Sequence, residues 1–159
     1  TGKIELYSAE LELAGLDPMP VYEPPEEAPE GYFRLLYGRH PVHTFAKTQN
    51  TPLLSELYPE NELWLNAAQA ATLGLADGQR VKLENQDGIV STPVKLKVTE
   101  RIHPDAVYMV HGFGQNSAGL TRANGRGASD SLLTSRYALD PISGGAGMRV
   151  NFVRIVKEA

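Results

Sequence analysis

The chain has 159 residues and a net charge of −4, with 42% hydrophobic and 21% charged residues, the balance of one globular domain large enough to bury a core. It has no cysteine, which excludes a disulfide framework, a thiolate metal site and a cysteine nucleophile. No run approaches the roughly 18 apolar residues of a membrane-spanning helix, so direct membrane insertion is not expected.

Residues 1–30 hold eight acids against Lys3 alone, while the remainder holds eleven acids and fourteen bases. An acidic lead ahead of a mildly basic body argues against a nucleic-acid partner and is compatible with a basic pocket for a small anion. The opening Thr1-Gly2-Lys3-Ile4 has neither an initiator Met nor a signal-peptide pattern, which predicts a fragment of something larger or a processed chain. Residues 1–13 read as a short strand or extended arm offering Ile4, Leu6, Leu11 and Leu13. Prolines at 18, 20, 24, 25 and 29 then rule out regular structure. Residues 1–31 are therefore expected to be an extended, proline-rich arm, and 32–159 a separate domain.

That domain opens with an apolar strand, Tyr32 to Tyr37, which runs into Gly38-Arg39-His40-Pro41-Val42-His43-Thr44-Phe45-Ala46-Lys47-Thr48-Gln49-Asn50. The polar groups of this loop follow neither a helical nor a strand period. So many donors at a strand end suit an anionic or heteroatom-rich ligand, and Arg39, His43, Lys47 and Thr48 are expected to line one concave face. The plainer reading is a solvated basic loop.

Pro52 to Leu57 predicts a short helix with Pro at its first position. Glu62 to Asn66 reads as a strand, and Ala67 to Leu73 as a helix stopped by Gly74. Arg80 to Asn85 alternates as a half-buried strand, Asp87-Gly88 turns the chain, and Ile89 to Thr99 is expected to return as one long strand. Ala106 to Val110 is a further apolar strand. Eight of the fifteen glycines fall between Gly112 and Gly147, where only Ser129 to Tyr137 predicts a helical turn. Such a length with little regular structure marks a functional loop or disorder, ordered by whatever ligand it meets. Arg149 to Val156 closes the chain as a strand. These elements predict a mainly β chain with short helices, closed into a small barrel.

No constellation suggests catalysis within the chain. His40 and His43 flank Pro41 and share no helix face, so no metal ligand set is expected. No G-x-S-x-G elbow exists, and Gly112-Phe113-Gly114 is too short for a dinucleotide fingerprint.

The order of the pieces carries a resemblance. Gly38-Arg39 with His43 and Thr48, Leu63 to Ala70, Leu73 to Gly78, His111 to Gly114, Gly127 to Asp130 and Leu139 to Gly144 together resemble the molybdopterin-dinucleotide-binding domain of the dimethyl sulfoxide reductase superfamily. The chain is most similar there to the catalytic large subunit of polysulfide and thiosulfate reductases. The resemblance implies a double-psi β-barrel that clasps one side of bis(molybdopterin guanine dinucleotide) with molybdenum or tungsten. The cofactor-contacting loop of the family maps onto His43, Thr44, Phe45, Ala46, Lys47 and Thr48. Later contacts map near Ser131, where many relatives have Asn, and Arg149, where many have Lys. Relatives often read Asn-Pro-x-Asp where this chain has Asn66-Ala67-Ala68-Gln69. With Arg39 and His111, the implied cofactor-binding set is Arg39, His43, Thr44, Phe45, Lys47, Thr48, Asn66, His111, Ser131 and Arg149, with no catalytic residue and no metal ligand.

For the intact enzyme the resemblance implies two-electron reduction of polysulfide or thiosulfate, and an iron–sulfur cluster in an N-terminal part. It also implies an iron–sulfur electron-transfer subunit, a membrane quinol-oxidising subunit and a periplasmic location. Two other readings share the barrel type. One is a substrate-recognition barrel for a peptide or protein, like the N-domain of AAA-type ATPases. The other is an autonomous enzyme resembling aspartate decarboxylase, which needs a self-processing Gly-Ser pair that the chain lacks.

Overall fold

The structure is a computed structural model describing residues 2–19 and 21–157. Thr1 of the opening motif, Pro20 of the arm and residues 158–159 of the domain lie outside the described residues.

Six strands form a closed barrel: β1 (Phe33–Gly38), β2 (Glu62–Asn66), β3 (Arg80–Asn85), β4 (Val94–Thr99), β5 (Ala106–Val110) and β8 (Phe152–Lys157). Around the barrel the order is β1-β5-β2-β4-β3-β8. The pairs β1–β5 and β2–β4 are parallel and the others antiparallel. This is the mainly β, double-psi barrel class that the sequence implied. Alternation decides which side chains face inward. Leu35, Leu63, Leu65, Val81, Leu83, Leu96, Val107, Met109 and Val153 are all fully buried. At about 1.5–3 kcal/mol for each large aliphatic removed from water, this layer is the main stabilising term of the fold.

Local signals set the short helices. In α3 (Ala67–Leu73) the Asn66 side chain accepts from Ala68 N–H, and Gly74 at φ 61° ends the helix in the left-handed region. Helix α2 (Pro52–Leu57) carries Pro in its first turn, and α4 (Asp130–Leu133) is capped by Ser129, whose hydroxyl accepts from Leu132 N–H.

Several sequence expectations are corrected. Residues 1–13 were expected as strand or extended arm, but Ala9–Leu13 forms a helix, α1, because Ser8 caps it through Leu11 N–H. The long strand expected over Ile89 to Thr99 is confined to β4. Before it, Asn85 Oδ1 takes the Asp87 and Ile89 N–H groups and Ser91 Oγ takes Leu83 N–H, so the backbone pairing with β3 is cut to the single Glu84–Val90 bridge. At the Asp87-Gly88 turn only Gly88 has a positive φ. The helical turn expected over Ser129 to Tyr137 is the single turn α4. A small hairpin, β6 (Ala138–Leu139) with β7 (Ala146–Gly147), lies in the glycine-rich stretch where no strand was expected.

Candidate functional site

Strand directions decide which loops share an end of the barrel. Gly38 pairs with Val110 in the parallel β1–β5 ladder, and His111 N–H continues it by donating to the Gly38 carbonyl at 2.8 Å. The Arg39–Asn50 loop and the glycine-rich segment therefore leave side by side. Strand β8 runs antiparallel to β1 and pairs with its first residues, Phe152 opposite Arg34, and just before it the Arg149 carbonyl accepts from Arg34 Nη1 at 2.6 Å. Strand β2 runs antiparallel to β5, so its last residue, Asn66, stands at the opposite rim.

Within the Arg39–Asn50 loop, His43 is nearly buried and fully engaged. Its Nε2 donates to the Tyr58 carbonyl at 2.8 Å, and its Nδ1 lies 3.3 Å from Thr48 Oγ1. The same Thr48 oxygen accepts Thr44 N–H at 2.9 Å. His43 and Thr48 thus shape the loop from inside, each bonded within its own chain. The ring of Phe113 packs edge-on against both His43 and Tyr58. Burial pushes the Tyr58 hydroxyl up to about 12. His40 stacks on Tyr58 with ring centroids 3.8 Å apart, and burial, then the neighbouring His43 charge, pulls its imidazole below its usual range.

The loop turns outward at Phe45, the one non-glycine among the described residues with positive φ, at 50°. Gly112 makes that turn possible, since a Cβ there would meet Ala46 N at 2.7 Å and the Phe45 carbonyl carbon at 2.9 Å. Gln49 and Gln115 brace the same backbone, donating to the Phe45 and Ala46 carbonyls. The partly exposed Phe45 ring is then covered on one side by the Arg39 guanidinium, 4.8 Å from its centroid. It also meets the His111 ring edge-on at 5.4 Å.

His111 is held by a residue that the sequence placed in a family motif but not in the cofactor-binding set. Its Nδ1 donates to Asp130 Oδ2 at 2.6 Å, while Asp130 Oδ1 accepts Gly112 N–H at 3.3 Å. Asp130 is buried in the first turn of α4, so its carboxylate is committed to this pair and the His111 Nε2 edge is left for an external partner. The Tyr37 hydroxyl is pushed up by burial and by the Asp130 charge, with a smaller opposing pull from Arg149.

Of the proposed residues, Arg39, Phe45 and His111 form one cluster. Ser131 follows Asp130 in α4, and the Arg149 carbonyl meets Arg34; neither lines the cavity beside the cluster. Arg39, His40, Pro41, His43, Thr44 and Phe45 line a shallow cavity of about 360 Å³. Arg39, His40 and Pro41 extend from there into a groove of about 520 Å³ with Trp64, Tyr108 and Arg101. The concave face expected of Arg39, His43, Lys47 and Thr48 is therefore lined by Arg39 and the ring edge of His43. Lys47 is exposed away from it, and Thr48 turns inward. Asn66 uses both ends of its amide on the chain itself, capping α3 and donating to the Ile102 carbonyl at 2.9 Å.

The glycine-rich crossing is tied down by bonds within the chain. Asn50 Oδ1 receives the Arg122 and Ala123 N–H groups, and buried Asn61 bridges Val110 and Ala128. Among the described residues no group of acids and histidines is placed to hold a metal ion, and no helix is long and apolar enough to cross a membrane.

The donor set on the rim fits a pterin nucleotide. It combines the Arg39 guanidinium, exposed backbone and an aromatic face, and its buried acid, Asp130, is already paired. Comparison with known proteins agrees. A family model described as Molydopterin dinucleotide binding domain matches residues 33–152. The chain is 35% identical over 151 residues to "Thiosulfate reductase molybdopterin-containing subunit PhsA" of Salmonella typhimurium, covering 91% of this chain and 19% of that protein. It is 27% identical over 172 residues to "Dimethyl sulfoxide reductase DmsA" of Escherichia coli, covering 99% of this chain and 20% of that one. Among solved structures, "Acetylene Hydratase from Pelobacter acetylenicus" superposes with a TM-score of 0.74 at 22% identity, over 99% of this chain and 24% of that chain. The chain spans about a fifth of the length of the curated relatives it matches.

Proposed function

The chain belongs to the molydopterin dinucleotide binding domain family, and we propose that it clasps one side of bis(molybdopterin guanine dinucleotide) within the catalytic subunit of an oxidoreductase that reduces a sulfur compound such as thiosulfate or polysulfide. The observation that carries this reading is the Arg39–Phe45–His111 cluster, held by Asp130 at one barrel rim. Arg39 and Lys47 would balance diphosphate charge. The Phe45 ring would lie against a planar heterocycle, and the His111 Nε2 edge would meet a heteroatom of the cofactor. Thr44, Ser131 and Arg149 would add further contacts to the cofactor. His43 and Thr48 would act by holding the loop in shape, and Asn66 from the far rim by fixing α3.

When bound, the metal–pterin would supply the two-electron exchange with substrate; the chain's own residues would bind and orient it and supply no catalytic group. The likeness to a thiosulfate reductase subunit supports a sulfur substrate. An iron–sulfur cluster elsewhere in the subunit, an iron–sulfur partner subunit, a membrane quinol-oxidising subunit and a periplasmic location complete the proposal. Either molybdenum or tungsten satisfies it.

The test is metal and pterin content of the gene product carrying Arg39→Ala, Lys47→Ala or Phe45→Gly. Metal per polypeptide should fall while the barrel unfolds at an unchanged urea midpoint. Full metal occupancy in all three variants would overturn cofactor clasping and favour the peptide-recognition reading.

A further inference from the structure

Asp130 is closed to any ligand, since its side chain is 2% exposed, against 32% for His111 beside it. Gly114 lets the two meet across 19 positions of sequence. A Cβ on Gly114 would collide with the Ser129 nitrogen and the Ala128 carbonyl carbon, so the start of α4 lies hard against the segment after His111. His111 is itself fixed by its N–H bond to the Gly38 carbonyl and by the rings of Phe45 and Tyr37, at 5.4 and 6.1 Å. Between these anchors the Asp130 carboxylate takes Gly112 N–H on Oδ1 and His111 Nδ1 on Oδ2.

A carboxylate only accepts, so this bond puts the imidazole proton on Nδ1. Neutral His111 then turns a bare lone pair outward at Nε2, which no hydrogen bond among the described residues reaches. His40 has the opposite arrangement. Its Nδ1 accepts Val42 N–H at 3.3 Å, which leaves its proton on Nε2.

We infer that Asp130 is a positioning residue that makes His111 an acceptor, so that the ligand group opposite Nε2 is a donor, a ring N–H or an amine, and not a phosphate oxygen. The ligand's identity rests on the proposed cofactor, whose pterin carries such N–H groups and whose diphosphate has none. An anionic oxygen would be repelled by the bare lone pair. Arg39, on the other side of the Phe45 ring contacts, offers donors alone. The cluster is thereby polarised, acceptor at His111 and donor at Arg39, which lets a heterocycle dock one way round.

Long-range nitrogen–proton NMR correlation of the imidazole rings tests this on the 159-residue chain, whose closed barrel carries its own buried core. His111→Gln identifies the signal. At neutral pH His111 should show a protonated Nδ1 and a bare Nε2, and His40 the reverse. A His111 ring protonated on both nitrogens, or on Nε2 alone, would overturn the inference, whether or not any variant folds.

Asp130→Asn, with its oxygen kept on Gly112 N–H, turns an amide N–H toward Nδ1 and should switch the ring to the other tautomer. In the gene product that variant should lose metal and pterin at least about twofold. It should cause no further loss in a His111→Gln background, where the side-chain amide offers both donor and acceptor. Equal further loss there would mean that Asp130 acts on folding alone and would overturn the positioning role. Full metal content with the tautomer switched would overturn the donor reading. The proposed function fails separately, through full occupancy in the Arg39, Lys47 and Phe45 variants while the His111 tautomer stands.

Discussion

Gly127 lies directly against Asn61: a Cβ built on the glycine would fall inside contact distance of Asn61 Oδ1, and the glycine holds φ at +64°. That approach lets the buried Asn61 accept Ala128 N–H at 2.9 Å and donate to the Val110 and Ala128 carbonyls at 2.8 and 2.9 Å. Three bonds from one amide thus fasten the glycine-rich crossing to the end of β5, and with it the α4 turn that presents Asp130 to His111. Gly127→Ala should lower stability by about 2–4 kcal/mol, since it adds both a clash and backbone strain. Asn61→Ala should cost about 3 kcal/mol by leaving buried backbone groups unpaired. Urea midpoints at constant slope measure both, and an unshifted midpoint for either variant would show that the crossing is fastened elsewhere.

At position 45 the usual order of two substitutions should invert. Phe45 sits at φ 50°, where an L side chain costs about 1–2 kcal/mol and glycine costs little. Both Phe45→Gly and Phe45→Ala lose the ring contacts with Arg39 and His111. Phe45→Gly should therefore be the more stable of the two by about 1 kcal/mol. Thermal unfolding of the pair decides this; an alanine variant at least as stable would mean the loop relaxes out of the left-handed region.

Lys47 and Thr48 are neighbours with different roles. Lys47→Ala removes an exposed side chain and should leave stability within about 0.5 kcal/mol. Thr48→Ala deletes the hydroxyl shared by His43 Nδ1 and Thr44 N–H and should cost about 1–2 kcal/mol. Thr48→Ser keeps the oxygen and should restore most of the loss. Equal midpoints for the alanine variants would break the assignment of Thr48 to loop shape.

Acid should loosen the segment beyond α4 before the barrel opens. The Asp87 carboxyl is held below its ordinary range by the Arg136 guanidinium, then by the Ser135 hydroxyl, with a smaller part from Gln86. Asp140 is held down by the Ser143 N–H and hydroxyl and the Ile142 N–H. A carboxylate whose folded value is depressed stabilises the fold fully above its unfolded value of 3.8, and that contribution fades as pH falls through the lower folded value. Amide exchange over 135–148, corrected for intrinsic rates, should accelerate below about pH 4 while β2 and β5 stay protected. Asp87→Asn should remove the pH dependence at 135–136 and leave that of the Asp140 turn.

Local pattern determined a good part of this protein. Alternation placed Leu63, Leu65, Leu83, Leu96 and Val107 inward, Pro52 opened α2, and Asn66 and Gly74 bounded α3, because each depends on periodicity or on a backbone preference read within a few residues. The motif order also implied the barrel and the family that the comparisons support. Only tertiary structure decided which of the polar residues share a surface. Asp130 meets His111 from 19 positions away, and no local signal marks it beyond its place after the Ser129 cap. His43 and Thr48, which read as ligand donors, are spent on their own loop. Asn66 goes to the far rim because β2 runs against β5. Pairing between distant strands sets those directions, and side-chain bonds such as Asn85 to Ile89 end a strand that its own sequence would have continued. Strand direction and hydrogen-bond competition belong to the closed barrel as a whole, so no window of neighbouring residues contains them.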